Sequence, residues 1–377
     1  MMRKRILSLM SLLLVVGYNA FAQQLTMVDE DATAETKALY ANLWEIQKRG
    51  FIFGHHDDLM YGRYWYGESG NSDTKQVCGD YPGVYSMDFA EIMMRGNPNS
   101  EGMKLRRRCI EEARRRGEII MGCCHIDNPL TGRDAWDNSN NYVLKQILNE
   151  GSDTHARFYG WLDNVIAFVK TLKDDEGRPI PIIFRPLHEH TQVWNWWGSK
   201  CATEAEFVAV WRWMVDYIKA NGVHQFIYCI SPQSHRYDDA AQFLYRWPGD
   251  DYVDMIGYDF YEQEAEFGKM LEHNLKVLSR ISRDKRKPCA VTETGLEAYT
   301  NPQFWTEHIL KAATAEGVNV SFITTWRNKF VDKNEQDTHY FSIYPGHPAE
   351  ADFVKFYQDK RTFFSKDLPD MYTLSKQ

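Results

Sequence analysis

Short apolar runs recur along this chain, each bounded by turn residues and each followed by polar ones. Eight of them have the length and composition of buried parallel strands: Phe51–Gly54, Gly83–Met87, Glu118–Cys124, Pro181–Phe184, Gln225–Ile230, Val253–Tyr258, Cys289–Thr292 and Val320–Thr325. Longer segments with helical spacing lie between several of these runs. In Thr154–Leu172, the residues Phe158, Trp161, Leu162, Val165, Ile166, Val169 and Leu172 fall on one stripe. Thr203-Glu204-Ala205-Glu206 is a capping box, Phe207, Trp211, Met214, Val215 and Ile218 make the apolar face behind it, and Gly222 closes the helix. Ser100–Arg116 and Glu264–Arg280 also read as helices, and Asn301-Pro302 opens another with proline in its first turn. The segments after the first and fifth runs carry little helical pattern.

Eight strands alternating with helices predict an α/β fold, a single (β/α)8 TIM barrel. The competing doubly wound sheet places a glycine-rich phosphate loop after its first strand. Gly54-His55-His56-Asp57-Asp58 stands there instead. No linker, repeat or low-complexity stretch divides residues 23–377, so one catalytic domain is expected.

The first residues change the picture of where the protein works. Met1-Met2-Arg3-Lys4-Arg5 is basic, Ile6 to Val16 is apolar, and Ala20-Phe21-Ala22 fits a cleavage site. This predicts a signal peptide over residues 1–22 and export to the periplasm or the medium. The apolar run is short for a bilayer span, so no membrane anchor is expected after cleavage.

The formal charge of −8 and mean hydropathy of −0.53 point to a soluble protein and away from a nucleic-acid partner. Aromatic residues make up 14% of the chain, which suits either a large core or a cleft whose rings stack on the C–H faces of sugars. Cys123, Cys124, Cys229 and Cys289 lie in strand-like runs and read as core residues. No C-x-x-C spacing suggests a zinc site, and a disulfide among Cys78, Cys109 and Cys201 stays open.

Chemistry in such a barrel gathers at the C-terminal ends of the strands. Those ends are polar here: His55 and His56; Asp88; His125, Asp127 and Asn128; Arg185, His188 and Glu189; Ser231 and Gln233; Asp259 and Tyr261; Glu293; Trp326, Arg327 and Asn328. Glu189 on strand 4 and Glu293 on strand 7 face each other across the mouth. Two facing carboxyls are what cleavage of a glycosidic bond requires, and a gap of about 5–5.5 Å lets the second attack directly with retention of configuration. The indoles of Trp194, Trp196 and Trp197 would raise the Glu189 carboxyl and suit it to donate a proton. A phenol such as Tyr261 would hold Glu293 in line. Each glutamate also has a purely structural reading: Glu189 as the buried ion partner of Arg185, Glu293 as a cap for the segment after it. Glu297 competes for the role of nucleophile. His188-Glu189-His190 and His55-His56 offer metal-type ligands, but not at the H-E-x-x-H spacing; their rings are expected to bond sugar hydroxyls or the carboxylates, with no metal and no cofactor.

Arg185-Pro186-Leu187-His188-Glu189, followed by Trp194-Asn195-Trp196-Trp197-Gly198, resembles glycoside hydrolase family 26, the β-mannanase family. Phe53-Gly54-His55-His56, Ser86-Met87-Asp88-Phe89, Asp254 to Tyr261, Thr292-Glu293 and Thr325-Trp326-Arg327 support the match. The resemblance implies Glu189 as acid/base and Glu293 as nucleophile, with His188 and Tyr261 orienting them. It implies sugar stacking by Trp194 and Trp326, and hydroxyl contacts from His125, Asp259 and Arg327. His190-Thr191-Gln192 replaces the family's usual M-N-G, on the leaving-group side. The function implied is retaining hydrolysis of β-1,4-mannosidic bonds in mannan, glucomannan or galactomannan. The rivals are β-1,3-xylan or mixed-linkage β-glucan as substrate, a non-catalytic glycan-binding protein, and a metal-dependent deacetylase. The rim loops Tyr61–Pro82 and Phe330–Gly346 would shape the ends of the cleft.

Overall fold

The computed structural model describes residues 25–332 and 335–374. The leader expected at residues 1–22 lies outside them. Eight parallel strands form the barrel: β1 (Phe51–His56), β2 (Val84–Asp88), β3 (Ile119–Cys123), β4 (Ile182–Arg185), β5 (Phe226–Ile230), β6 (Met255–Phe260), β7 (Cys289–Thr294) and β8 (Phe322–Thr325). Each pairs with the next in chain order, and β8 returns to β1 with Ile52 opposite Phe322 and His55 opposite Thr325. The barrel is therefore closed and has no open edge along these strands.

The alternation of side chains explains what fills it. Ile52, Val84, Ile119, Met121, Ile183, Ile227, Cys229, Met255, Ala290 and Phe322 point inward and share one apolar cluster. The helix Ala34–Ile46 adds Leu39, Tyr40, Leu43 and Ile46 to that cluster, and the C-terminal segment adds Met371 and Tyr372. These residues plug the N-terminal end of the barrel, so only the opposite end is open to solvent. The strand pattern gave no hint of this helix, although Thr33 caps it by accepting from the Thr36 N–H. A two-residue strand, Thr362–Phe363, adds to the start of β1 on the same side.

The outward faces of the strands pack under the helices. Glu101–Arg115, Asp153–Lys170, Glu204–Ala220 and Glu264–Lys285 match four expected helices, and the capping box at Thr203 and Glu206 forms in full. The fifth differs. Pro302 stands ahead of a wide-turned helix, Trp305–Leu310, which narrows to a regular turn at Lys311–Ala313. The two segments with little helical pattern hold a hairpin (Tyr61–Gly62 with Trp65–Tyr66) and the short helix Asp73–Cys78 after β1, and the four-residue helix Ala240–Phe243 after β5. All seven cysteines are free thiols, and six are buried. No helix among the described residues is long and apolar enough to cross a membrane.

Candidate active site

The open end of the barrel carries a cleft of about 560 Å³ lined by His125, Trp136, Glu189, Tyr261, Glu293, Trp326 and Phe341, among others. Five strand ends or the loops after them supply the residues named.

Glu293 reaches the cleft through a bulge. Along β7, Ala290 points into the barrel and Val291 away from it. Strict alternation would turn Thr292 inward and Glu293 outward. The register against β6 slips between Tyr258 and Asp259, which pair with Val291 and Glu293, so Thr292 is the extra residue. A bulge of this kind re-aims a side chain, and here both Thr292 and Glu293 reach the barrel interior. Thr292 Oγ1 donates to Asp259 Oδ1 at 2.6 Å, and Arg185 Nη2 donates to Glu293 Oε1.

Glu189 is placed by a strained loop. Leu187 and Glu189 both have positive φ, +47° and +53°, a region that costs a non-glycine residue about 1–3 kcal/mol. The loop is over-determined by its hydrogen bonds. The Glu189 N–H donates to Ser231 O at 2.8 Å, and Trp197 Nε1 donates to His188 O at 2.6 Å. The buried guanidinium of Arg246 donates to the carbonyls of His190 and Trp197, each at 3.0 Å, and also to Ala202 O. Trp196 is likewise structural: its Nε1 donates to Ile126 O at 3.0 Å. Of the three expected indoles, only Trp194 faces the carboxyl, donating to Glu189 Oε2 at 2.8 Å.

Glu189, Asp259 and Glu293 each bring a carboxylate oxygen within 4.8 Å of the others. Burial, then the charge of Glu293, pushes the Glu189 carboxyl up to about 7, even though the Trp194 N–H favours its ionised form. Arg185 does not pair with Glu189, as one structural reading held. Its guanidinium bridges Asp259 (2.7 Å to Oδ2) and Glu293 and accounts for the positive charge beneath the cleft. Tyr261 donates from its phenol to Glu293 Oε2 at 3.1 Å; burial and the charge of Glu293 push that phenol well up, so it remains a donor. Glu297 is exposed at the rim, 3.9 Å from His339, and makes no such contacts.

The histidines divide into two sets. His125 and His188 meet through their Nε2 atoms at 3.1 Å, and His188 Nε2 lies 3.8 Å from Glu293 Oε1. Burial and Arg185 push His188 well down, so it is neutral, whereas Asp88, 2.9 Å from His125 Nδ1, raises His125 against the cost of burial. His56 stacks on Trp326 with ring centroids 4.1 Å apart and fixes that indole at the cleft. The other two rings correct the expectation of sugar or carboxylate contacts at the active centre. His55 points out of the barrel to Thr74 and Asp58, and His190 is buried flat against Phe207.

Asp259 also differs from its expected contact with substrate hydroxyls. It is fully buried, and Arg185, Ser231 and Thr292 occupy its oxygens, so it supports the cleft from below. Arg327 is half-buried at the rim, donating to Tyr61 Oη at 3.0 Å. Three residues escaped the sequence reading. Trp136, 57% exposed, stacks over His125 at 5.7 Å; its signal was a lone tryptophan in a polar loop. Phe341 packs edge-on against Tyr261, and Arg246 had no local signal at all.

The family model for glycosyl hydrolase family 26 matches residues 28–314. A mannan endo-1,4-beta-mannosidase of Bifidobacterium adolescentis is 31% identical over 91% of this chain, and a mannan endo-1,4-beta-mannosidase of Bacillus subtilis is 26% identical over 45% of it. The alignments span 36% of the Bifidobacterium relative and 42% of the Bacillus one, so the chain covers less than two thirds of either. Among solved structures, a GH26 beta-mannanase from Bacteroides ovatus superposes with a TM-score of 0.84 at 36% identity, covering 92% of this chain and 99% of that one. A GH26 protein from Muricauda gives 0.85 at 30% identity, covering 93% and 96%. The chain belongs to glycosyl hydrolase family 26.

Proposed function

We propose that this protein hydrolyses β-1,4-mannosidic bonds within mannan, glucomannan or galactomannan, with retention, after export to the periplasm or the medium. The observation that carries the reading is the approach of the Glu189 and Glu293 carboxylate oxygens to within 4.8 Å. That separation suits direct attack on the anomeric carbon and leaves no room for a water between carboxylate and sugar. The names of the relatives favour mannan over the xylan and glucan alternatives.

The geometry suggests how the two carboxyls divide the work. Glu189, raised to about 7, holds its proton near neutral pH and delivers it to the leaving oxygen. Glu293, aligned by Arg185 and Tyr261, attacks C1 and forms a glycosyl ester. Esterification removes the Glu293 charge, which is one of the two influences holding the Glu189 carboxyl up. Glu189 then becomes the stronger acid, and its carboxylate takes a proton from the water that breaks the ester.

Reducing-sugar release from mannan, β-1,3-xylan and mixed-linkage β-glucan tests the reading. Release from mannan above the other two supports it. Glu189→Ala should abolish that release while sparing a substrate whose leaving group needs no proton. Equal activity of wild type, Glu189→Ala and Glu293→Ala on mannan would overturn it.

A further inference from the structure

From Trp326 in the cleft wall, side-chain contacts run through Arg327 and Tyr61 to an aromatic surface that the chemistry above does not use. Tyr66 is 59% exposed and Phe330 38% exposed, and their rings meet edge to face with centroids 6.0 Å apart. Tyr66 lies parallel to Tyr61, at 6.0 Å and 7°. Tyr61 accepts from Arg327, whose guanidinium lies 5.8 Å from the ring of Trp326. These five residues make one unbroken path from the cleft to solvent, half-buried at its inner end and exposed at its outer end.

The outer rings are held firmly. The hairpin that carries Tyr66 is pinned by Asp73, which accepts from Trp65 Nε1 at 2.9 Å and from the Arg63 N–H at 2.7 Å. Arg63 in turn holds both sides of Phe330: its Nη1 donates to Lys329 O at 3.2 Å, and its carbonyl accepts from the Val331 N–H at 3.0 Å. Aromatic faces kept in solvent on fixed elements, and continuous with a cleft, mark a ligand surface rather than misplaced core.

The direction of the path says which part of a ligand it meets. β4 and β8 lie opposite each other in the closed barrel. The proton donor follows β4, so the leaving-group sugars lie toward that wall. The sugars on the other side of the scissile bond extend toward β8 and β1, where Tyr66 and Phe330 stand.

We propose that Tyr66 and Phe330 form a distal platform for the non-reducing-end portion of a β-1,4-linked hexopyranose chain, beyond the sugar that Glu293 attacks. The C–H faces of the pyranose rings stack on the two aromatic faces. The proposal rests on the glycosidase reading above and adds a determinant of chain-length preference to it.

The test is kcat/KM on manno-oligosaccharides of two to six units for wild type, Tyr66→Ala, Phe330→Ala, the double variant and Tyr66→Trp, with melting curves to confirm folding. In the wild type, efficiency climbs with length. The double variant should lose about threefold to tenfold of that climb, its cleavage positions on the longest substrate should shift, and Tyr66→Trp should keep the climb. Wild-type length dependence and an unchanged product pattern in the folded double variant would overturn the platform. If the wild type cleaves no manno-oligosaccharide, the proposed function fails instead. Binding of cello- and manno-oligosaccharides, followed by tryptophan fluorescence, then decides the platform: weaker binding in the double variant sustains it, and equal binding overturns it.

Discussion

The indole N–H of Trp194 donates a 2.8 Å hydrogen bond to Oε2 of Glu189, the carboxyl that burial pushes up to about 7. The two influences oppose each other. Burial disfavours the carboxylate, while the donor stabilises it. Trp194→Phe keeps an aromatic face and removes only the donor, so the Glu189 carboxyl should rise further. In the proposed mechanism Glu189 must be protonated for the first step. The alkaline limb of the kcat/KM profile should therefore move to higher pH, by about half to one unit. A limb that stays in place or moves to lower pH would show that the hydrogen bond does not tune the acid.

The charge of Glu293 is the second influence on Glu189, and it can be removed without changing shape. Glu293→Gln mimics the neutral ester of the proposed intermediate. At a separation under 4.8 Å the two charges are strongly coupled, and the Glu189 carboxyl should fall by about one to two units. Infrared difference spectra of the carboxyl stretch across a pH titration read this directly. The variant should also lose turnover by several orders of magnitude, because an amide does not attack. An unshifted Glu189 in this variant would remove the basis for its change from acid to base.

The barrel and most of its rim were legible because they follow short-range rules. The parity that puts Ile183 inside β4 also puts Arg185 inside, and apolar runs of strand length fix where each strand ends. The bulge at Thr292 was not legible, since a slip of register depends on the partner strand β6 and leaves no local mark. The same holds for the clamp at Arg246, whose four carbonyl acceptors lie 44 to 56 residues away in sequence. The roles of His55 and His190 were misjudged for a related reason. Residue type suggested site chemistry, but their positions turn both rings away from the active centre.

Arg246→Met tests how far the strained loop that carries Glu189 depends on that clamp. The substitution fills similar volume but leaves the buried carbonyls of His190, Trp197 and Ala202 without their donor, while Gly198 O keeps the N–H groups of Cys201 and Ala202. A buried acceptor that loses its partner costs about 1–3 kcal/mol, so the total should be about 3 kcal/mol or more in urea unfolding. The same carbonyls flank Glu189, so kcat should fall as well, more than KM rises. A variant with wild-type stability would mean that the loop holds its left-handed residues by other contacts.

Arg185 carries a heavier load, because one buried cation serves two carboxylates. Arg185→Met leaves Asp259 and Glu293 facing each other in the barrel without compensation. Breaking a buried ion pair from one side costs about 3–5 kcal/mol, chiefly because of the charge left behind. If that is the cause here, neutralising the remaining partner should restore part of the loss. Arg185→Met with Asp259→Asn should therefore unfold at higher urea than Arg185→Met alone. Activity should not return with stability, since Glu293 still lacks one of the two donors that align it. Recovery of fold without recovery of kcat would separate the two duties of Arg185, balancing charge and aiming Glu293. A double variant less stable than the single one would show that the arginine acts through packing, with Asp259 contributing a favourable bond of its own to Thr292.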